Sequence, residues 1–265
     1  MIRIASEAAA VVADVYSKPF EVEYKGPRDP VTVADRRAND LICERLAREF
    51  PGTPIVAEES PVESFADFRD SDTVFFVDPV DGTNEFIEHH PEFVVMIGLI
   101  QGSQATHSVI HAPAFGTAWA GAVGLGAERI EANGERAPVC VTGVTSLAAA
   151  TIVSSRSHRS PKLERALDAL GVKAVTSMGS AGLKGAAVAR GSVDAHVAPH
   201  YAGKRWDVCA AEALVRAAGG SVTDAWGDPI DYRAPSLSND RGLVASNGHI
   251  HEALLERLRK HRGEH

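Results

Sequence analysis

Asp78-Pro-Val-Asp81-Gly-Thr83 sets two carboxylates three positions apart, with a hydroxyl two residues further on. Pro79 fixes φ and lacks a ladder donor, so the two acids are not expected to share a regular strand, and a turn there brings both toward one side. A backbone carbonyl lies between them. That side becomes a hard-oxygen environment of the kind Mg²⁺ prefers, while Gly82 and Thr83 offer N–H groups and a hydroxyl to a phosphate. A plain turn rich in Asp and Gly has the same local composition, and Glu58-Glu59 alone reads equally well as a solvated pair. Taken together with Asp207 they call for another explanation, because two carboxylates about 4 Å apart repel by about 4 kcal/mol at an effective dielectric of about 20. A gathering of three or four needs cations.

The elements that must bring these residues together are visible as patterns. Met1 to Val15 reads as an amphipathic helix, and Arg3, Glu7 and Asp14 within it do not fit a secretory signal. Thr32 with Asp35 resembles a capping pair, and Ala38, Leu41, Ile42, Leu46 and Phe50 follow at helical spacing. Pro54 to Ala57 and Thr73 to Val77 are β-prone and end in Glu58-Glu59 and Asp78. The runs Phe93 to Ile100, His107 to Pro113 and Thr117 to Val123 predict an antiparallel meander. After Gly143 the pattern alternates: strands at Thr151 to Ser154 and Ala174 to Ser177, helices at Pro161 to Leu170 and Ala181 to Arg190. A helix from Trp206 to Ala218 is closed by Gly219-Gly220, a turn follows at Trp226-Gly-Asp-Pro229, and a terminal helix runs through Leu255.

Composition narrows the class. Of 265 residues 45% are hydrophobic, enough for a core, and the length suits two domains or one large α/β unit. Lys+Arg 27 against Asp+Glu 35 gives a net charge of −8, which argues against a nucleic-acid polymer or an anionic membrane as partner. No run reaches the roughly 18 apolar residues of a spanning helix. Cys43, Cys140 and Cys209 make an odd set without CxxC spacing, which suits a reducing cytoplasm rather than a disulfide framework or a zinc knuckle. His89-His90 has no third ligand at a useful spacing, and neighbours on an extended chain point apart. Trp206 and Trp226 read as core, and Arg257 to Arg262 as solvated surface.

The segments Asp29-Pro-Val-Thr-Val-Ala-Asp35, Ala57-Glu-Glu-Ser60, Asp78-Pro-Val-Asp-Gly-Thr83 and Trp206-Asp207 leading to Ala217-Ala-Gly-Gly220 occur in this order over nearly the whole chain. The combination resembles the inositol monophosphatase superfamily of lithium-sensitive, Mg²⁺-dependent phosphatases. The resemblance implies an α/β (α+β) fold, a five-layered αβαβα sandwich. An N-terminal α+β domain, 1–140, would carry most metal ligands, and a C-terminal α/β domain, 141–265, the substrate contacts and Asp207. It further implies two or three Mg²⁺ per active site, held by Glu58, Asp78, Asp81, Asp207 and the carbonyl of Val80. Asp35, Thr83 and Glu58 would be catalytic, with Thr83 and Asp35 forming the pair that orients and activates the attacking water. A homodimer is compatible with this family.

Within the superfamily, branches hydrolyse inositol monophosphates, fructose bisphosphate, or the 3′-phosphate of nucleotides such as 3′-phosphoadenosine 5′-phosphate. Asn84-Glu-Phe86 resembles the bacterial bisphosphate nucleotidases of the CysQ type, although Lys is commoner there than Asn84. Ser154-Ser-Arg-Ser-His158 is a second match, with Arg156 and His158 suited to a phosphate or an adenine edge. A polar loop before the Pro161 helix is the alternative. Ser177-Met-Gly-Ser-Ala-Gly-Leu-Lys184 resembles the nucleotidase segment that contacts the nucleotide, which implicates Gly179, Ser180 and Lys184. A Gly/Ser turn opening a helix presents N–H groups to an anion, and equally makes an ordinary N-cap. His200 stands seven positions before Asp207, where inositol phosphatases tend to carry a Glu that holds sugar hydroxyls, and a cation-capable group suits a second phosphate better. Asp81, Gly82 and Thr83 would face the scissile phosphate. The expected activity is therefore a 3′(2′),5′-bisphosphate nucleotidase acting on a small phosphate ester, with an inositol-1-monophosphatase or broader sugar-phosphate phosphatase as the alternative. A non-catalytic phosphate or metal sensor would be signalled by loss of Glu58, Asp81 or Thr83, and all three are present.

Overall fold

A computed structural model describes residues 1–26, 29–65, 68–157 and 159–263. Its first helix, α1 (Ile2–Tyr16), buries Ile4, Ala8, Val12 and Val15 on one face. The strands β1 (Val22–Gly26) and β2 (Asp29–Thr32) form a small antiparallel ribbon. Thr32 then caps α2 (Val33–Glu49): its hydroxyl accepts the Ala34 N–H at 3.1 Å, and Asp35 accepts the Thr32 N–H at 2.8 Å. Next come β3 (Ile55–Ala57), β4 (Thr73–Asp81), α3 (Thr83–Ile87), β5 (Val94–Gln101), β6 (Gln104–Ala112), β7 (Thr117–Ala122), β8 (Gly126–Glu131) and β9 (Arg136–Val139). The seven strands β3 to β9 make one sheet in chain order.

Beyond Val139 the chain enters a second sheet. Its elements are β10 (Thr151–Ser155), α4 (Pro161–Asp168), β11 (Ala174–Met178), α5 (Ala181–Ala189), β12 (Ala195–Ala198), α6 (Arg205–Ala217), β13 (Ser221–Thr223), β14 (Leu243–Ser246) and α7 (His251–Arg262). The strand order is β11-β10-β12-β14-β13, parallel from β11 to β12 and antiparallel thereafter.

Apolar clusters among the described residues define five layers. Ile4, Val12, Ala38 and Ile42 from α1 and α2 pack on Val77, Val95 and Ile97 of the seven-stranded sheet. The opposite face of that sheet meets α5 and α6: Met96 and Ile110 join Leu183, Ala186, Ala211 and Leu214, and Val153 and Ala245 of the five-stranded sheet close the same cluster from behind. Leu163 and Leu167 of α4 and Leu254 and Leu258 of α7 cover the outer face of the second sheet against Ile152 and Val197. The order is thus αβαβα. Layers this thick bury nearly all of the β5 run, which explains why it reads as continuously apolar rather than alternating. No helix among the described residues is long and apolar enough to cross a membrane.

Three expectations change. Asp78 and Asp81 do not flank a turn: β4 continues to Asp81, and a β-bulge between the two residues interrupts the register with β5. The bulge accommodates Pro79 and re-aims the side chains without ending the strand. Trp226 is not core but 45% exposed, with the guanidinium groups of Arg241 and Arg262 over its ring at 5.3 and 4.2 Å. Arg262 also donates to the Ala225 carbonyl at 3.0 Å, so the end of the basic run is packed rather than solvated.

Candidate active site

The site begins at Asp35, whose carboxylate is 2% exposed and fully engaged. Oδ2 accepts the N–H and the hydroxyl of Thr32 at 2.8 and 2.6 Å, and Oδ1 accepts the Thr83 hydroxyl at 3.2 Å. Thr83 has one proton and two acceptors in reach, the other being the Val80 carbonyl at 3.0 Å. Burial pushes the Asp35 pKa up, and the bonds from Thr32 and Thr83 draw part of that rise back. Gly82 makes the junction from β4 to α3 feasible: its φ is +98°, and a Cβ there would lie 2.8 Å from the Glu92 carbonyl.

The bulge turns Asp78 and Asp81 toward Asp207, the third residue of α6, and ligand oxygens of these three lie within 4.8 Å of one another. Asp78 and Asp81 are 1% and 7% exposed. Asp78 accepts the Val80 N–H at 3.0 Å, and Asp207 accepts the Lys204 N–H at the start of its helix. Glu58 stands beside the cluster, with Lys25 of β1 3.6 Å away and 2.6 Å from Glu59. Burial, then neighbouring carboxylates, raise these groups: Glu58 to about 8, Asp207 to about 7, and Asp78 well above the carboxylate range. Four acids held against desolvation and one another, all presenting hard oxygen, are a donor set that fits Mg²⁺. The structure thus brings Glu58, Asp78, Asp81 and Asp207 together with the Asp35–Thr83 pair.

The residues expected to meet substrate fall into two groups. Ser180 has φ +50°, and its hydroxyl donates to Asp81 Oδ2, to which the Gly182 N–H also donates at 2.7 Å. Gly179 donates its N–H to Glu92 Oε2 at 2.5 Å. Lys184 is 6% exposed, and its ammonium donates to the carbonyls of Ser180 and Gly179 at 2.7 and 3.4 Å. Burial lowers its pKa, and Asp81, Glu85, Asp207 and Glu92 oppose that shift. Arg156 is already paired: Nη2 lies 2.9 Å from Glu92 Oε1, and Nη1 lies 2.6 Å from His90 Nε2.

At His200 burial, and after it the nearby cations Lys162, His261 and Arg262, lower the imidazole pKa, a direction that works against a charged form. Its Nε2 has no hydrogen-bond partner among the described residues. His158 lies outside the described residues. The sequence reading gave Lys25 and Glu92 no role at this site, weighed His90 only as a zinc ligand, and took Glu85 only as a branch marker, although Glu85 accepts the Ser157 hydroxyl. Their partners are distant in sequence, so no local spacing announces them.

A five-layered αβαβα sandwich with buried carboxylates beside an Asp-held threonine defines the class of inositol-phosphatase-like folds. The chain belongs to the inositol monophosphatase family, which it matches over residues 1–263. It is 33% identical over 241 residues to the 3′(2′),5′-bisphosphate nucleotidase CysQ of Escherichia coli K12, covering 87% of this chain and 91% of that one. Against inositol monophosphatase 3 of Solanum lycopersicum it is 28% identical over 266 residues, covering 97% and 94%. Among solved structures, the extragenic suppressor protein suhB of Bartonella henselae superposes with a TM-score of 0.82 at 28% identity, covering 98% and 97%.

Proposed function

We propose that this protein is a Mg²⁺-dependent 3′(2′),5′-bisphosphate nucleotidase that removes the 3′-phosphate of 3′-phosphoadenosine 5′-phosphate. The observation that carries the phosphatase reading is the approach of Asp78, Asp81 and Asp207 to within 4.8 Å, next to a threonine whose hydroxyl is bonded to Asp35. Glu58, Asp78, Asp81, Asp207 and the Val80 carbonyl would hold the metal, which when bound supplies Lewis acidity toward phosphate oxygens and water. The proton is handled by the chain itself. Thr83 donates to Asp35 Oδ1, which leaves the lone pairs of its hydroxyl to accept a proton from the attacking water while its own passes to Asp35. A raised Asp35 pKa makes that carboxylate the better acceptor. Gly82 and Thr83 N–H groups, at the first turn of α3, would bind the scissile phosphate. Free thiols at Cys43, Cys140 and Cys209 suit the reducing cytoplasm.

The nucleotide branch is supported by 33% identity to the CysQ nucleotidase and by Arg156 and Gly179 meeting at Glu92 next to Ser180, which bonds Asp81 and receives Lys184 at its carbonyl. One observation favours the second reading, an inositol-1-monophosphatase or broader sugar-phosphate phosphatase. Glu92 compensates the charge of Arg156, the cation a second phosphate would need. Phosphate release from 3′-phosphoadenosine 5′-phosphate, inositol 1-phosphate and fructose 1,6-bisphosphate, each with Mg²⁺, decides between them. The bisphosphate nucleotide is expected to give the highest kcat/KM. Preference for inositol 1-phosphate would replace the assignment.

A further inference from the structure

Glu92 lies in the loop between α3 and β5, and both of its carboxylate oxygens cross to the second half of the chain. Oε1 meets Arg156 Nη2 at 2.9 Å, and Oε2 accepts the Gly179 N–H at 2.5 Å. Arg156 follows β10, and Gly179 precedes α5. Their two loops also join directly, since the Arg156 N–H donates to the Met178 carbonyl at 3.1 Å. Glu85 adds a parallel tie by accepting the Ser157 hydroxyl, and it fills the space a side chain at position 179 would need, 2.6 Å from an added Cβ.

The residue after Gly179 is Ser180, in the left-handed region at φ +50°, where a non-glycine residue stays only if its surroundings fix it. Here the fixing groups are visible. Glu92 pins the residue before it, Lys184 takes its carbonyl at 2.7 Å, and its hydroxyl reaches Asp81 together with the Gly182 N–H at 2.7 Å. Asp81 Oδ2 thereby takes two donors from the start of α5. The chain of bonds runs from Arg156 through Glu92, Gly179 and Ser180 to Asp81.

Resting on the reading of this site as a metal-dependent phosphatase, we infer that Glu92 is a positioning residue: one carboxylate aims the Asp81 metal ligand through the Gly179–Ser180 turn and, with its other oxygen, holds Arg156 toward the distal group of the substrate. It touches neither the reacting atoms nor the metal ligands. Outer partners of this kind typically change metal affinity or activity by about 10- to 100-fold when removed.

The test uses the full chain as Glu92→Ala and Glu92→Gln, with Mn²⁺ affinity measured by calorimetry without substrate. Steady-state kinetics follow on 3′-phosphoadenosine 5′-phosphate and on p-nitrophenyl phosphate, which has no distal group. For Glu92→Ala, folded by circular dichroism, Mn²⁺ affinity is expected to fall about tenfold. Its kcat should fall on both substrates, and its KM should rise for the bisphosphate alone. Gln keeps an oxygen for the Gly179 N–H and loses the charge on Arg156, so it should restore Mn²⁺ affinity to within about twofold while still raising the bisphosphate KM. Mn²⁺ affinity within about twofold of native in a folded Glu92→Ala overturns the inference. If the Ala variant does not fold, Glu92→Gln decides: no change in either quantity, or equal losses in both, overturns it. Wild-type protein that binds Mn²⁺ yet hydrolyses neither ester would instead sink the phosphatase reading, since the metal measurement reads independently of turnover.

Discussion

Asp81 has two separate tasks, and a single-atom substitution divides them. Its Oδ2 accepts from Ser180 and Gly182, while its charge adds to that of Asp78 and Asp207. Asp81→Asn keeps an oxygen for both donors, relieves repulsion, and loses the charge that would hold Mg²⁺. The fold should stand, with melting in EDTA at or above the native temperature, while phosphate release is abolished. Activity within a few-fold of native in saturating Mg²⁺ would remove Asp81 from the metal site. Arg156 separates recognition from catalysis in the same way. Arg156→Ala is expected to lower kcat/KM for 3′-phosphoadenosine 5′-phosphate by roughly 1.5 to 3 kcal/mol, the range for hydrogen bonds to charged groups, and to leave inositol 1-phosphate nearly unchanged. Equal losses on both would assign Arg156 to the common site or to the fold.

At the scale of elements, α6 sets the distance between the two halves of the site, because it delivers Asp207 and packs directly on β5. Gly98 allows that approach: a Cβ there would lie 2.6 Å from Cys209 Sγ and 2.7 Å from the Ala210 nitrogen. Gly98→Ala should destabilise by about 1 to 3 kcal/mol through overpacking. It should also weaken Mn²⁺ binding, because Asp207 shifts with its helix while Asp78 and Asp81 stay with β4. Denaturant melts with a calorimetric titration check this, and a stable variant with native metal affinity would show that β5 and α6 separate without moving the cluster. The helices and the meander core were legible because their periodicity is strong. Ser221–Thr223 and Leu243–Ser246 were not: the first offers a single apolar residue, Val222, and the second a run of three, too short to tell a buried strand from a helix segment. Gly126–Glu131 and the edge strand Arg136–Val139 are largely polar or exposed and show no alternating buried pattern. The approach of Asp78 and Asp81 was readable because the two are local. Glu92 was not, as its partners lie 64 and 87 positions away.

For the molecule as a whole, the metal-free fold holds an electrostatic conflict that pH controls. Glu58 and Asp207 are raised to about 8 and about 7 from ordinary values of 4.5 and 3.8, and Asp78 is raised as well. A group whose pKa is raised by folding binds its proton more tightly in the native state. Its contribution is complete below the unfolded value and is lost as pH climbs through the folded one. These carboxylates therefore favour the native state near pH 4 and cease to do so by about pH 8. The buried imidazoles of His196 and His251 act oppositely: burial lowers them from 6.5, so they favour the fold above that value and oppose it as pH falls. A melting curve in EDTA alone mixes both sets. Saturating Mg²⁺ supplies the countercharge to the carboxylates and leaves the imidazoles untouched, so the difference between melts in Mg²⁺ and in EDTA isolates the cluster. That difference should be small near pH 5 and widen steadily toward pH 8, as the metal-free site gains charge. Scanning calorimetry across this interval measures it, and a gap that stays constant or narrows as pH rises would mean that the carboxylates are already charged and separately solvated in the metal-free protein.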